Sequence, residues 1–141
     1  MSKELTLHSA EELVAFGSNL AASLTGGELI FLSGELGAGK TTLVRGILQA
    51  LGHDGAVKSP TFAIVESYLG LKLAVDHFDL YRLQTIEELE LLGWRDYLAA
   101  KSVIIIEWPE RACGYLPKPD IEVKIDYKSA NTRIVFTNDF R

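Results

Sequence analysis

A glycine-rich segment has the residue types and spacing of a phosphate-binding loop: Gly34-Glu35-Leu36-Gly37-Ala38-Gly39-Lys40-Thr41-Thr42. In such a loop, here residues 34–42, successive backbone N–H groups turn inward around phosphate oxygens, so Gly37, Ala38 and Gly39 are candidate contacts. Lys40 can place a positive charge on the terminal phosphates, and the Thr41 hydroxyl can bind Mg²⁺. The segment therefore predicts a site for a nucleoside triphosphate.

Two acidic residues further along the chain could complete a metal site. Asp79 lies in a polar cluster, residues 76–82, which is predicted to begin just beyond a strand. Glu107 follows Val103-Ile104-Ile105-Ile106, whose β-branched side chains indicate a strand buried on both faces. Asp79 could hold metal-bound water or orient an attacking water. Glu107 stands where phosphate-loop enzymes keep the second metal-site acid, although aspartate is more usual there.

The elements around the loop must hold it at the edge of a sheet. The apolar run Leu29-Ile30-Phe31-Leu32 before the loop predicts a buried strand, and Leu43, Val44 and Ile47 after it fall on one helical face. Strand, glycine-rich turn and helix in this order favour phosphate binding, because the helix start adds free N–H donors and a positive dipole end.

The rest of the chain predicts further elements around this unit. Ser9 has capping-box spacing with Glu12 and starts an amphipathic helix. Strand-like residues 63–65 and 71–75 flank a bend, and alternating apolar residues after position 120 predict a C-terminal antiparallel hairpin. We therefore expect an α/β fold, a P-loop NTPase three-layer sandwich with a mainly parallel central sheet and helices on both faces. A single domain is expected over residues 1–141.

Residues near these motifs are candidates for a switch or for a partner contact. Thr61, in Ser59-Pro60-Thr61-Phe62, follows the loop helix, where nucleotide hydrolases often sense the γ-phosphate or the metal. A strand-entry turn is an equally good interpretation of this segment, because Pro and Ser are common turn residues. Tyr81 and Arg82 follow Asp79 as candidate switch or partner contacts, and Arg82 could also contact phosphate.

Four more side chains leave a functional and a structural interpretation open. Trp108, next to Glu107, could cover the nucleotide or a partner's approach, or simply pack. Ser9 could approach the nucleotide base as well as cap its helix. Arg133 could contact base or phosphate, although a half-exposed hairpin arginine is the simpler interpretation. For His77, a histidine at the surface or at the edge of the core is favoured over a catalytic one.

The composition limits the classes of function. The net charge of −5 opposes unaided binding to nucleic acid, so DNA is not an expected partner and RNA is expected only through another protein. No apolar run approaches the roughly 20 residues of a membrane span, and residues 1–10 lack the pattern of a secretory leader. We therefore expect a cytoplasmic protein.

Lys118 and Asp120 have part of the guanine-reading motif of GTPases, but Pro117 replaces its Asn or Thr, so ATP is favoured.

Three matches, in order along the chain, resemble the bacterial TsaE (YjeE) family. They are the 34–42 loop, Ser59-Pro60-Thr61-Phe62 with His77-Phe78-Asp79-Leu80-Tyr81-Arg82, and Ile106-Glu107-Trp108-Pro109. The resemblance covers nearly the whole chain. It implies an ATPase of tRNA threonylcarbamoyladenosine biosynthesis that binds ATP and Mg²⁺ and hydrolyses ATP slowly by itself. It also implies that the protein works with TsaD and TsaB, which install the threonylcarbamoyl group on an adenosine beside the tRNA anticodon. In that family the ATPase is expected to drive or reset this complex.

The resemblance also implies roles for individual residues. Lys40 and Thr41 are expected at phosphate and metal, Thr42 near the α-phosphate, and Glu107 as the metal-site acid. Asp79 and Trp108 are expected to matter for hydrolysis or for the complex. Ser9 and Arg133 are looser matches to nucleotide contacts.

Three functions therefore remain open at the level of sequence. They are an ATP-hydrolysing accessory protein, a small-molecule kinase that uses the same loop, and a nucleotide-gated binding module in which hydrolysis is incidental. The group that activates the attacking water is equally open between Asp79, Glu107 and a residue of a partner.

Overall fold

Seven strands form one mixed β-sheet in the computed structural model of the protein, which describes residues 2–57, 60 and 63–141. The strands are β1 (Ser2–Leu7), β2 (Leu29–Gly34), β3 (Val65–Tyr68), β4 (Val75–Asp79), β5 (Val103–Glu107), β6 (Ile121–Tyr127) and β7 (Arg133–Asp139). The helices are α1 (Ala10–Ala22), α2 (Lys40–Ala50), α3 (Glu87–Leu92) and α4 (Trp94–Ala99), with a short 3₁₀ helix at Pro109–Ala112. The sheet order is β1-β7-β6-β2-β5-β4-β3.

The centre of the sheet is parallel and its margins are antiparallel. Strands β6, β2, β5 and β4 run in the same direction. Strands β1, β7 and β3 pair antiparallel with their neighbours. The expected α/β class is confirmed, but the sheet is mixed rather than mainly parallel, because the N-terminal strand and the C-terminal hairpin extend one margin and β3 extends the other.

Helices cover both faces of the sheet, as strand β5 shows. Val103 and Ile105 pack in a core with residues of α1 and α2. Ile104 and Ile106, which point to the opposite face, pack with residues of α3 and α4. Every residue of β5 is buried, as expected for a central parallel strand. The two cores fix the strand between two helical layers.

Several local signals are confirmed by the structure. Ser9 caps α1, where its hydroxyl oxygen accepts the N–H of Glu12 at 3.1 Å and the Glu12 carboxylate accepts the N–H of His8 at 3.1 Å. Strands β6 and β7 form the expected antiparallel hairpin. Among the described residues, no helix combines the length and the apolar character needed to cross a membrane.

The strand predicted over residues 71–75 is wrong. Strand β4 begins only at Val75 and continues through the polar cluster to Asp79, so this cluster forms the strand instead of following it. Polar residues are tolerated there because distant groups satisfy them: the buried Asp76 carboxylate accepts the hydroxyls of Ser67 and Ser102, each at 2.6 Å. Strand β3 likewise begins at Val65, two residues later than predicted.

Candidate functional site

The carboxyl ends of the parallel strands open into a cavity of about 350 Å³. Its wall combines the loop after β2 with the ends of β4, β5 and β7. Most of the predicted site residues line it: Gly37, Gly39, Lys40, Thr41, Thr42, Asp79, Tyr81, Glu107, Trp108 and Arg133, joined by Leu36, which was not predicted. Segments that are more than 90 residues apart in sequence therefore meet at this edge of the sheet.

The 34–42 loop links β2 directly to α2. Gly39 precedes the helix with φ at +114°, a conformation that side chains rarely adopt. A Cβ atom on Gly39 would lie 2.5 Å from Cδ2 of Leu13, which is fully buried in α1. Arg133 Nε donates to the backbone oxygen of the buried Ala38 at 2.5 Å, which ties the loop to the first residue of β7. The loop is therefore held from both sides.

Lys40, the first residue of α2, is buried beside the loop. Its ammonium donates to the backbone oxygens of Gly34 and Glu35, the latter at 3.0 Å, and lies 4.4 Å from the centre of the Trp108 ring. Burial lowers the pKa of Lys40, against the opposing effect of Glu107 and Asp79. Among the described residues, the hydrogen-bond partners of this charge are neutral carbonyl oxygens, and phosphate oxygens would be stronger partners.

Asp79 and Glu107 bring two carboxylates to the same wall. They are paired in register at the ends of β4 and β5. Asp79 is half-buried and accepts the N–H of Tyr81 at 3.0 Å. Burial raises the pKa of the Asp79 carboxyl, and the Glu107 charge adds to this rise. The site therefore favours a bound cation or proton near these two acids.

His77 is a site-forming residue that the sequence interpretation missed. It is completely buried, and its Nε2 lies 2.6 Å from Oε2 of Glu107. The signal was period-two alternation: if residues 75–79 form a strand, His77 and Asp79 share one face. Because the strand was predicted to end at residue 75, the sequence did not indicate that His77 and Asp79 lie on the same face of a strand.

Aromatic and cationic side chains form the outer part of the site. Trp108 has φ at +58°, which is uncommon for a bulky residue, and this turn carries the chain from β5 into the 3₁₀ helix. The Trp108 and Tyr81 rings are 5.0 Å apart, and Arg111 lies 5.5 Å from the Tyr81 ring. Trp108 therefore contacts both Lys40 and Tyr81.

Three of the predicted residues that the structure describes do not line the cavity: Ser9, Arg82 and the buried Ala38. Ser9 serves as the cap of α1 and does not line the cavity. Arg82 is exposed and is also outside the lining. Thr61 lies outside the described residues. Asp120, from the rejected guanine motif, accepts the N–H of Leu29 at 2.8 Å, so it belongs to the opposite, amino end of β2.

Sheet, glycine-rich loop and paired acids define an α/β protein with a candidate site at the carboxyl edge of its parallel strands. The sequence model of one family, described as "Threonylcarbamoyl adenosine biosynthesis protein TsaE", matches residues 7–135. The chain therefore belongs to the TsaE family, whose members are proteins of tRNA threonylcarbamoyladenosine biosynthesis.

Individual relatives agree with this membership. The tRNA threonylcarbamoyladenosine biosynthesis protein TsaE of Haemophilus influenzae is 54% identical over 99 residues, which covers 70% of this chain and 63% of that protein. The Rickettsia bellii protein of the same name is 33% identical over 142 residues, covering 99% and 98%. The crystal structure of Bacillus subtilis YdiB is similar with a TM-score of 0.85 at 26% identity, covering all of this chain and 87% of that one.

Proposed function

We propose that this protein is a P-loop NTPase that binds and hydrolyses Mg²⁺-ATP in support of tRNA threonylcarbamoyladenosine synthesis. The observation that carries the proposal is the convergence of Lys40, Asp79 and Glu107 on the cavity beside the 34–42 loop. Phosphoryl transfer needs mainly positioning and electrostatic stabilisation, and a loop, an ammonium group and two carboxylates supply both.

The loop would hold the phosphates of ATP. Gly37, Ala38 and Gly39 precede α2, whose first N–H groups have no acceptor within the helix. The Ala38 N–H, which donates to the backbone oxygen of Glu35 at 3.1 Å, would exchange this contact for a phosphate oxygen. Lys40 would exchange its backbone-carbonyl and Trp108 contacts for phosphate oxygens. The Lys40–Trp108 contact is worth roughly 0.5–2 kcal/mol, so its loss is easily offset by charge-assisted bonds. Thr42 and Arg133 would contribute further contacts from the cavity wall.

The donor set suits Mg²⁺. Thr41, Glu107 and Asp79 offer oxygen ligands on one wall, and Mg²⁺ typically uses one or two carboxylates, with waters and substrate phosphates completing its shell. Residues 2–57, 60 and 63–141 contain no group of three or more His, Cys, Asp or Glu side chains placed to hold a metal. Thr41 and Glu107 would bind the ion, which neutralises charge that develops on the phosphates during hydrolysis.

Asp79 is our candidate for orienting the attacking water. Glu107 already has His77 against one oxygen, whereas Asp79 is partly open to the cavity. The raised pKa of Asp79 also brings this carboxyl closer to the range in which a group accepts a proton effectively. Hydrolysis then depends on Lys40 for the phosphates and on Asp79 for the water.

The output of hydrolysis is proposed to be a change in a partner complex. Relatives are named for threonylcarbamoyladenosine biosynthesis in tRNA, and the motif resemblance points to TsaD and TsaB as the partners. The net charge of −5 favours contact with tRNA only through that complex. Tyr81, Arg82 and Trp108, on or beside the outer rim, are the candidate partner contacts.

The test measures phosphate release from ATP by the protein alone and with TsaD and TsaB. Slow turnover alone and faster turnover with both partners are expected. Lys40→Ala, added to the same partners, controls for contaminating hydrolysis. Equal rates with and without folded partners would overturn the accessory role, and a phosphorylated metabolite in place of free phosphate would identify a kinase.

Asp79→Asn and Glu107→Gln separate hydrolysis from nucleotide-gated binding. Both substitutions keep the side-chain size while they remove a carboxylate. If threonylcarbamoyladenosine still forms through many turnovers when ATP hydrolysis is abolished, the protein acts as a gated binding module instead.

A further inference from the structure

A buried contact behind the site links His77 of β4 to Glu107 of β5. The exposed fraction is 0% for His77 and 2% for Glu107, so water does not compete for the 2.6 Å contact between Nε2 and Oε2. His77 stands opposite Ile105 in the sheet, two residues before the Asp79–Glu107 pair. His77 therefore lies one step deeper in the sheet than the two cavity acids, on the same face.

The other ring nitrogen shows which atom carries the hydrogen. Nδ1 of His77 is buried and has no hydrogen-bond partner among the described residues. A hydrogen on Nδ1 would be a buried donor without an acceptor, and it would leave Nε2 facing a carboxylate with no hydrogen between them. A hydrogen on Nε2 avoids both penalties, so Nε2–H donates to Glu107.

The geometry points to His77 as a positioning residue for Glu107, and this role rests on the proposed Mg²⁺-ATP function. The hydrogen bond occupies Oε2 and prevents the carboxylate from rotating, while Oε1 takes no part in it. A carboxylate at a metal site is usually held by a partner of this kind behind it, and loss of the partner typically reduces metal affinity or activity about 10–100-fold. Asp79 has a backbone N–H donor instead, from Tyr81.

Three variants test this role. His77→Leu removes the donor, and His77→Gln can return an N–H to nearly the position of Nε2. Ile105→Val perturbs the paired, equally buried residue of β5 without touching the hydrogen bond, so it controls for general loosening of the sheet. Thermal unfolding of each variant establishes that it is folded before binding is measured.

The first readout is direct binding of Mg²⁺ to the protein saturated with a non-hydrolysable ATP analogue, by calorimetry. We expect a Mg²⁺ affinity about 10–100-fold weaker in His77→Leu, largely restored in His77→Gln and unchanged in Ile105→Val. Unchanged Mg²⁺ affinity in folded His77→Leu would overturn the positioning role alone. An unsubstituted protein that binds no Mg²⁺-nucleotide would overturn the proposed function as well.

The second readout needs neither metal nor nucleotide. Nitrogen-15 NMR of the histidine rings in the free protein distinguishes the two tautomers, and assignment by comparison with His77→Gln identifies the His77 signals. We expect the hydrogen on Nε2, with Nδ1 unprotonated. A hydrogen on Nδ1 would overturn the proposed contact even if the protein proved to be an ATPase.

Discussion

Asp79 and Glu107 stand directly opposite each other at the ends of neighbouring parallel strands. Residues paired in this way lie about 5 Å apart at the backbone, and their side chains point to the same face. The Glu107 charge therefore disfavours ionisation of Asp79. The Lys40 ammonium acts in the opposite sense and lowers the pKa of Asp79, while both carboxylates favour the charged form of Lys40. In the protein without nucleotide, ionisation of Asp79 is therefore coupled to the charges of Glu107 and Lys40.

This coupling predicts that Asp79→Asn stabilises the empty protein at neutral pH. Burial and Glu107 raise the pKa of Asp79 in the folded state, so the folded state binds the Asp79 proton more tightly than the unfolded state. The contribution of Asp79 to the free energy of unfolding is therefore fully present below the pKa of Asp79 in the unfolded chain, about 4, and is lost as pH rises through its pKa in the folded protein. Asparagine keeps an acceptor for Tyr81 and removes the penalty.

Urea denaturation without metal and nucleotide, at several pH values from 3.5 to 8, measures this effect. The gain of Asp79→Asn should grow from acid to neutral pH and then level off. Glu122→Gln, which removes an acid from the exposed face of β6, controls for the change in net charge. A variant that is less stable than the parent at pH 7 would contradict the prediction.

Lys40→Ala should reduce ATP hydrolysis by about 100-fold or more, the scale of losing one strong electrostatic contact to a transition state. Its fold should survive, because the buried ammonium already carries a desolvation cost, which appears as its lowered pKa. Lys124→Ala removes an equal charge from an exposed strand position and should retain turnover. Near-normal phosphate release by Lys40→Ala would refute the assignment of the loop.

The sequence predicted the features that depend on neighbouring residues. The 34–42 loop, the Ser9 cap, the buried run of β5 and the C-terminal hairpin each carry a local pattern, and the structure contains the cap, the strand and the hairpin as expected. The loop lies between a strand and a helix, as its pattern requires. Local chemistry determines these elements almost completely.

Features that depend on distant partners were not predictable in the same way. Residues 75–79 contain two aspartates and a histidine, a composition that favours a loop. They form a strand because Ser67, Ser102 and Glu107 provide hydrogen-bond partners for Asp76 and His77. The Trp108 ring meets Lys40 only because φ of +58° turns the chain after β5. Hydrogen-bond partners far along the chain, and one unusual backbone angle, decided these parts of the site.

Two glycines of the loop provide a matched pair. Gly39→Ala should destabilise the protein by about 1–3 kcal/mol, because φ of +114° is strained for alanine and its Cβ would press on buried Leu13. Gly37→Ala has φ of +79° and, apart from the chain neighbours, no atom of the described residues within 4 Å of the added Cβ, so it should cost only about 1 kcal/mol. Urea denaturation compares the free energies of unfolding, and equal losses would show that Leu13 adjusts without cost.

Trp108 should report the departure of Lys40 from its ring. The ammonium lies 4.4 Å from the ring centre in the nucleotide-free protein, and phosphate oxygens would draw it away. Trp94→Phe removes the other tryptophan, which is buried edge-on against Phe78, so that the emission comes from Trp108 alone. Titration with Mg²⁺-ATP should then give a saturable change in emission.

The same titration of the Lys40→Ala, Trp94→Phe double variant should give little change, since no ammonium is there to move. An unchanged spectrum of Trp94→Phe, at ATP concentrations where calorimetry shows the site to be filled, would mean that Lys40 stays on Trp108 in the complex.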